Sequence, residues 1–198
     1  MANQDAAFGL RPIKTVGQQD DSTGMGQHFI DAGEASEMYQ GSLVSSPATG
    51  TGYIDIAGLT DVLNVGAFWG CFYDDPTTRK PTFKNYYPGG ITPPQSQDIE
   101  AFVYDSPYQM FEIQSAATGA SAQADIYKCC DLASNGGSTS NGVSSAESAD
   151  SFAAGPAQLK VMGVSRDPKN NEIGSANVNW RVMICEHLFG SGTAGAAN

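Results

Sequence analysis

The sequence predicts an all-β protein, a sandwich or jelly-roll-like barrel with an extended N-terminal arm. Three observations carry that prediction. Residues 177–189 alternate: Val178, Trp180, Val182, Ile184 and Leu188 fall on one side, and Asn179, Arg181, Met183, Cys185 and His187 on the other. That is the pattern of a strand in a sheet with one dry face. Short β-branched and aromatic runs recur between Gly, Pro and Asn turns along the rest of the chain, as in sandwiches and barrels. No stretch holds an apolar helical period beyond about three turns, and no internal repeat is visible.

Taken in order, residues 1–23 read as the arm. Pro12 removes a donor and holds Arg11 in extended geometry, and 17–21 carry no apolar period. The β domain spans 24–190, beginning with strands at 25–30 and 37–45. A short strand follows at 53–56, and 59–65 fits a short helix or a strand. The run Ala67-Phe68-Trp69-Gly70-Cys71-Phe72-Tyr73 has the length of a strand buried on both faces, so 68–73 read as core. Segments 98–104 and 108–114 read as a hairpin joined by Asp105-Ser106-Pro107. Residues 124–130 read as a further strand. The small, polar stretch 131–156 reads as a flexible loop, although Asn135-Gly136 and Asn141-Gly142 are hairpin-turn dipeptides. Strands at 158–165 and 177–189 close the domain before a small, uncharged tail, 191–198.

The totals narrow the function. The chain has 198 residues and a formal net charge of −11, with only 10 Lys and Arg. Direct nucleic-acid binding needs clustered cations, so nucleic acid and an anionic membrane are both disfavoured as partners. Charged residues are 16% of the chain, which also suits surfaces buried in assemblies, where charge is costly to desolvate. No apolar run approaches the roughly 20 residues that span a bilayer, and no signal peptide is evident. The cysteines, at 71, 129, 130 and 185, lack C-x-x-C spacing and read as free thiols of a protein made in a reducing cytoplasm.

No catalytic signature emerges, and no cofactor or metal is expected. His28 and His187 lack metal-ligand spacing and read as two unrelated strand residues. Asp98 and Glu100 share a face of one strand and read as a solvated face. A carbohydrate-binding or hydrolase β domain is a further possibility; its support is Tyr86-Tyr87, which could stack on a sugar.

The remaining features are surfaces. The opening NQDAAFGLRPI places Phe8, Leu10 and Ile13 around Arg11-Pro12, and Arg79, Lys80 and Lys84 form the densest run of cations. These eight residues are the candidate partner-binding set. An extended arm can add to a neighbour's sheet, with main-chain bonds for affinity and alternate side chains for specificity.

The opening, the stretch from Phe72-Tyr73 to Lys80-Pro81-Thr82-Phe83, and SRDPKN…SANVNWRVMICEH near the end resemble a family of tailed-bacteriophage virion proteins. Its members start D-A-x-F-G-L-R-P and look like capsid decoration, or cement, proteins. The resemblance implies a structural virion protein on the capsid surface that stabilises the shell, with the major capsid protein and its own copies, as a homotrimer, for partners. Another phage structural subunit (shell, head-completion or tail) is the neighbouring possibility. On this view the arm lies on a neighbouring subunit of the shell, and deleting residues 1–16 would release the protein while leaving its domain folded.

Overall fold

The alternating segment forms a strand, Asn179–Ile184, with Trp180 and Val182 wholly buried and Arg181 and Met183 half-buried, as the pattern requires. The computed structural model describes residues 3–16, 24–116 and 121–190. The stretch 17–23 of the predicted arm and the tail 191–198 lie outside the described residues. In chain order the strands are β1 (Arg11–Thr15), β2 (Gly26–Ile30), β3 (Leu43–Ser45), β4 (Asp55–Ile56), β5 (Asn64–Asp74), β6 (Pro81–Lys84), β7 (Ile99–Tyr104) and β8 (Gln109–Ser115). They continue with β9 (Cys129–Cys130), β10 (Leu132–Ser134), β11 (Gly137–Ser138), β12 (Val143–Ser144), β13 (Glu147–Ser148), β14 (Leu159–Val164) and β15 (Asn179–Ile184). Among the described residues the helical segments are two single 3₁₀ turns, at Pro94–Ser96 and Gln123–Asp125.

Two sheets form a nearly closed, barrel-like sandwich. The first runs β10-β13-β8-β15-β14-β9, with β1 added to β8. The second runs β2-β7-β5-β3-β4, with β6 added to β5. Between the sheets lie Phe111, Ile113, Leu159, Val161, Trp180 and Val182 of the first sheet and Leu43 and Ala67 of the second. A second core occupies the other face of the second sheet. There Ile30, Val44, Phe68, Cys71, Ile99, Ala101 and Val103 are covered by Met38, Ile54 and Tyr87. Each large side chain buried this way contributes roughly 1.5–3 kcal/mol.

The segments 98–104 and 108–114 are both strands, but they do not pair as a hairpin. β7 lies in the second sheet against β2 and β5, and β8 in the first against β15 and β1. Asp105-Ser106-Pro107 carries the chain from one sheet to the other. The cause is visible in the burial: Ile99, Ala101 and Val103 face one core, Phe111 and Ile113 the other.

Three other segments differ from expectation. Residues 131–156 contain four short strands, with Leu132, Ala146 and Ser148 buried. The Asn141-Gly142 turn does close a hairpin, β11 to β12. Asn135 ties the segment down: its amide donates to the carbonyls of Leu43 and Ala57 and accepts from the Leu43 N–H. Only the last two residues of 124–130 are strand, because Gln123–Asp125 takes a 3₁₀ turn in which Asp125 accepts from the Ala122 N–H. Finally, β5 is not core throughout: Trp69 is half-buried and Phe72 is 38% exposed.

Candidate functional site

The arm is part of its own domain. Asn3 Nδ2 donates to the carbonyls of Glu172 and Ala176. Gln114 and Asn170, both buried, turn their side-chain amides to the arm's backbone: each donates to the Gln4 carbonyl, while the N–H groups of Ala6 and Gln4 donate to their side-chain oxygens. Two amides thus serve where a neighbouring strand would otherwise satisfy these groups. Gly9 has φ +71°, and a Cβ there would stand 2.6 Å from the Gly41 carbonyl oxygen and 2.7 Å from Ser144 Cβ. Only glycine takes this conformation at this approach without strain. Leu10 then drops into the core between the sheets, 1% exposed, and donates its N–H to Gly41.

This placement corrects the partner assignment for part of the arm. Leu10 is an anchor in this chain's own core rather than in a neighbour's. Arg11 is not free to reach a partner carboxylate: it pairs with the buried Glu112 of β8 and lies over the Phe8 ring, 4.5 Å from its centroid. Pro12 sits opposite Phe111, and Ile13, at a bulge in the β1–β8 ladder, stays 40% exposed.

The three basic residues also divide. Arg79 and Lys80 are exposed at the turn between β5 and β6. Lys84 sits opposite Cys71 on β6, half-buried, with its ammonium 5.5 Å from the Tyr86 ring centroid. The Tyr86-Tyr87 platform for a sugar does not form. Tyr87 is wholly buried, donating its hydroxyl to the Glu34 carbonyl, and Tyr86 is stacked 6.1 Å from Tyr39.

The uncovered aromatic surface lies elsewhere, on the part of the second sheet's inter-sheet face that continues past Ala67 and Tyr104. Across β6, β5, β7 and β2 the ladder aligns Phe83, Phe72, Glu100 and Phe29. Phe83, Phe72 and Phe29 are 47%, 38% and 42% exposed. The bulge between Phe68 and Gly70 adds Trp69 to the same surface, 5.2 Å from Phe83 and 6.4 Å from Phe102. Gly70 makes the packing possible, since a Cβ there would meet the Phe83 ring at 2.7 Å. Trp69 also joins this face to a groove of about 330 Å³ under the arm, lined by Phe8, Arg11, Pro12, Gly41, Phe68 and Tyr104. Sequence reasoning placed Trp69 and Phe72 in the core because an unbroken apolar run gives no parity; the bulge at Trp69 sets which rings face out.

The two histidines are not unrelated. Phe189 stacks on His28 at 6.1 Å and lies 5.7 Å from His187, and His28 Nε2 is 2.9 Å from Asp105 Oδ2. His187 is buried, and its Nδ1 accepts the Phe189 N–H, so Nε2 carries the proton. Burial holds its pKa down at about 4. The unfolded chain, with an ordinary histidine near 6.5, binds a proton between these values while the folded chain does not. Stability contributed by neutral His187 is therefore complete above about pH 6.5 and lost as pH falls towards 4, by up to about 3 kcal/mol. The difference between wild type and His187→Gln in urea melts at pH 7 and pH 4.5 isolates this contribution. Wild type should lose more stability on acidification than the variant; equal losses would contradict it.

Among the described residues no group of three or more His, Cys, Asp or Glu is placed to hold a metal ion. No family model, curated protein or solved structure matches the chain.

Proposed function

We propose that this chain is a structural virion protein of a tailed bacteriophage, non-catalytic, which binds the outside of the capsid and stabilises the shell by bridging subunits of the major capsid protein. The observation that carries the binding is the uncovered aromatic face of Phe29, Trp69, Phe72, Phe83 and Phe102, continuous with the groove beneath the arm. Exposed rings carried on paired strands are a hot-spot surface: they bring large apolar area with little side-chain entropy to lose. A single formal charge, Glu100, stands in the aligned row, so little charge must be desolvated when a partner covers it. The attachment to a virus rests on the resemblance of the D-A-x-F-G-L-R-P opening. The docked arm gives that opening a structural meaning: Phe8 stacks on Arg11, Gly9 makes the close pass, Leu10 fills the core, and Arg11 pairs with Glu112.

The partners are the major capsid protein and, within a homotrimer, the chain itself. Purified protein added to particles that lack it should bind saturably, with a copy number set by the capsomers, and raise the temperature at which the shells open. Binding confined to a head vertex or tail would assign it to another structural role. Binding to glycans, and none to shells, would replace this reading with a carbohydrate-binding one.

A further inference from the structure

In sequence the densest cations are Arg79, Lys80 and Lys84; in three dimensions they are elsewhere. On the outer face of the first sheet a depression of about 400 Å³ is lined by Ile13, Lys14, Glu112, Ser165, Arg166, Asp167 and Arg181. A neighbouring depression, sharing Asp167, is lined by Arg11 and Lys169. Five of the ten Lys and Arg of a chain with net charge −11 therefore surround one trough between β1 and the 165–169 turn.

Their partners are unevenly shared. Arg11 holds Glu112. Lys14, Arg166 and Arg181 make no ion pair within 4 Å among the described residues. Arg181 stands opposite Glu112 in the β15–β8 ladder but is turned the other way, over Gly163 of β14. A Cβ at residue 163 would come 2.6 Å from Arg181 Nη2, so the glycine makes the space in which the guanidinium lies. Arg181 Nε is buried and has no acceptor. A buried N–H without an acceptor is costly, and Arg181 lines the depression.

We propose that this trough binds the carboxylates of an acidic peptide segment on a partner protein. Arg181 presents a guanidinium fork for a carboxylate, and Lys14 and Arg166 flank it with exposed positive charge. The acidic surface beyond the trough, on a chain of net charge −11, disfavours a long polyanion such as nucleic acid, which would extend over it, more than a short acidic segment held within the trough. The site lies on the first sheet, on the far side of Arg11 from the aromatic face, and does not depend on the partner being a shell subunit.

The test is an NMR titration of the full chain at low salt, reading the Arg181 Nε–Hε resonance and the amides of 165–167. Hexaglutamate is the probe, with inorganic phosphate and a twelve-nucleotide oligothymidylate as parallel arms. Hexaglutamate should move these signals saturably. Arg181→Gln and, at an exposed turn where folding is not at issue, Arg166→Gln should each weaken binding by about tenfold. Arg79→Gln should leave it unchanged. Unmoved signals, equal affinity in Arg166→Gln, or tighter binding of phosphate or oligothymidylate than of hexaglutamate would overturn the assignment.

Discussion

Replacing Leu10 with Ala should destabilise the folded chain by about 3 kcal/mol, the usual cost of emptying a fully buried leucine site. In a domain of this size that lowers the melting temperature by roughly 6–12 °C. Removing residues 1–16 should do more. It exposes the core beneath Leu10, strips β1 from the edge of β8, and leaves Gln114 and Asn170 buried beside empty space where the arm's backbone was. A truncated chain that melts like wild type would show that the arm is a free tether, as the sequence suggested. A truncated chain that melts early, or does not fold, means loss of particle binding on truncation cannot be assigned to lost arm contacts. Leu10→Ala is then the informative variant, since it keeps the backbone of the arm.

The second large effect concerns binding alone. Phe72→Ser together with Phe83→Ser should weaken attachment to shells by about 100-fold or more, since buried aromatic anchors each carry about 2 kcal/mol or more of binding. Each ring is about half-exposed in the isolated chain, so the same pair should cost the fold only about 1–3 kcal/mol, a modest fall in melting temperature beside the loss of binding. A large fall in stability with unchanged binding would assign these rings to the fold instead.

The secondary structure was legible wherever one face is wet. Residues 179–184 alternate because the first sheet has water on one side, but the strand expected over 177–189 stops at Ile184: beyond it His187 is buried and Leu188 packs on the second core. Pairing was not legible. The segments 98–104 and 108–114 alternate just as well in two different sheets as in one hairpin, because period reports which face is dry and not which strand lies alongside. Composition misled at 131–156: Ser and Gly there are small enough to pack beside Tyr39, where a Cβ on Gly137 would come 2.3 Å from the ring. The arm misled most. Phe8, Leu10 and Ile13 look like partner anchors in sequence, but the groups that hold the arm, Gly41 at Leu10, Glu112 at Arg11, and Gln114 and Asn170 at Gln4 and Ala6, are scattered over more than a hundred residues of the same chain. The cationic trough was invisible for the same reason, assembled from positions 14, 166 and 181 of three different segments.

The central claim is that the aromatic face of the second sheet is the surface a shell covers. Radical footprinting of side chains on free protein and on protein bound to shells tests it most directly. The account predicts that Phe29, Trp69, Phe72 and Phe83 lose reactivity on binding while Tyr108 and Tyr127, exposed and outside the strands of that face, keep theirs. Unchanged labelling of the four rings in saturated particles, with protection elsewhere, would contradict it.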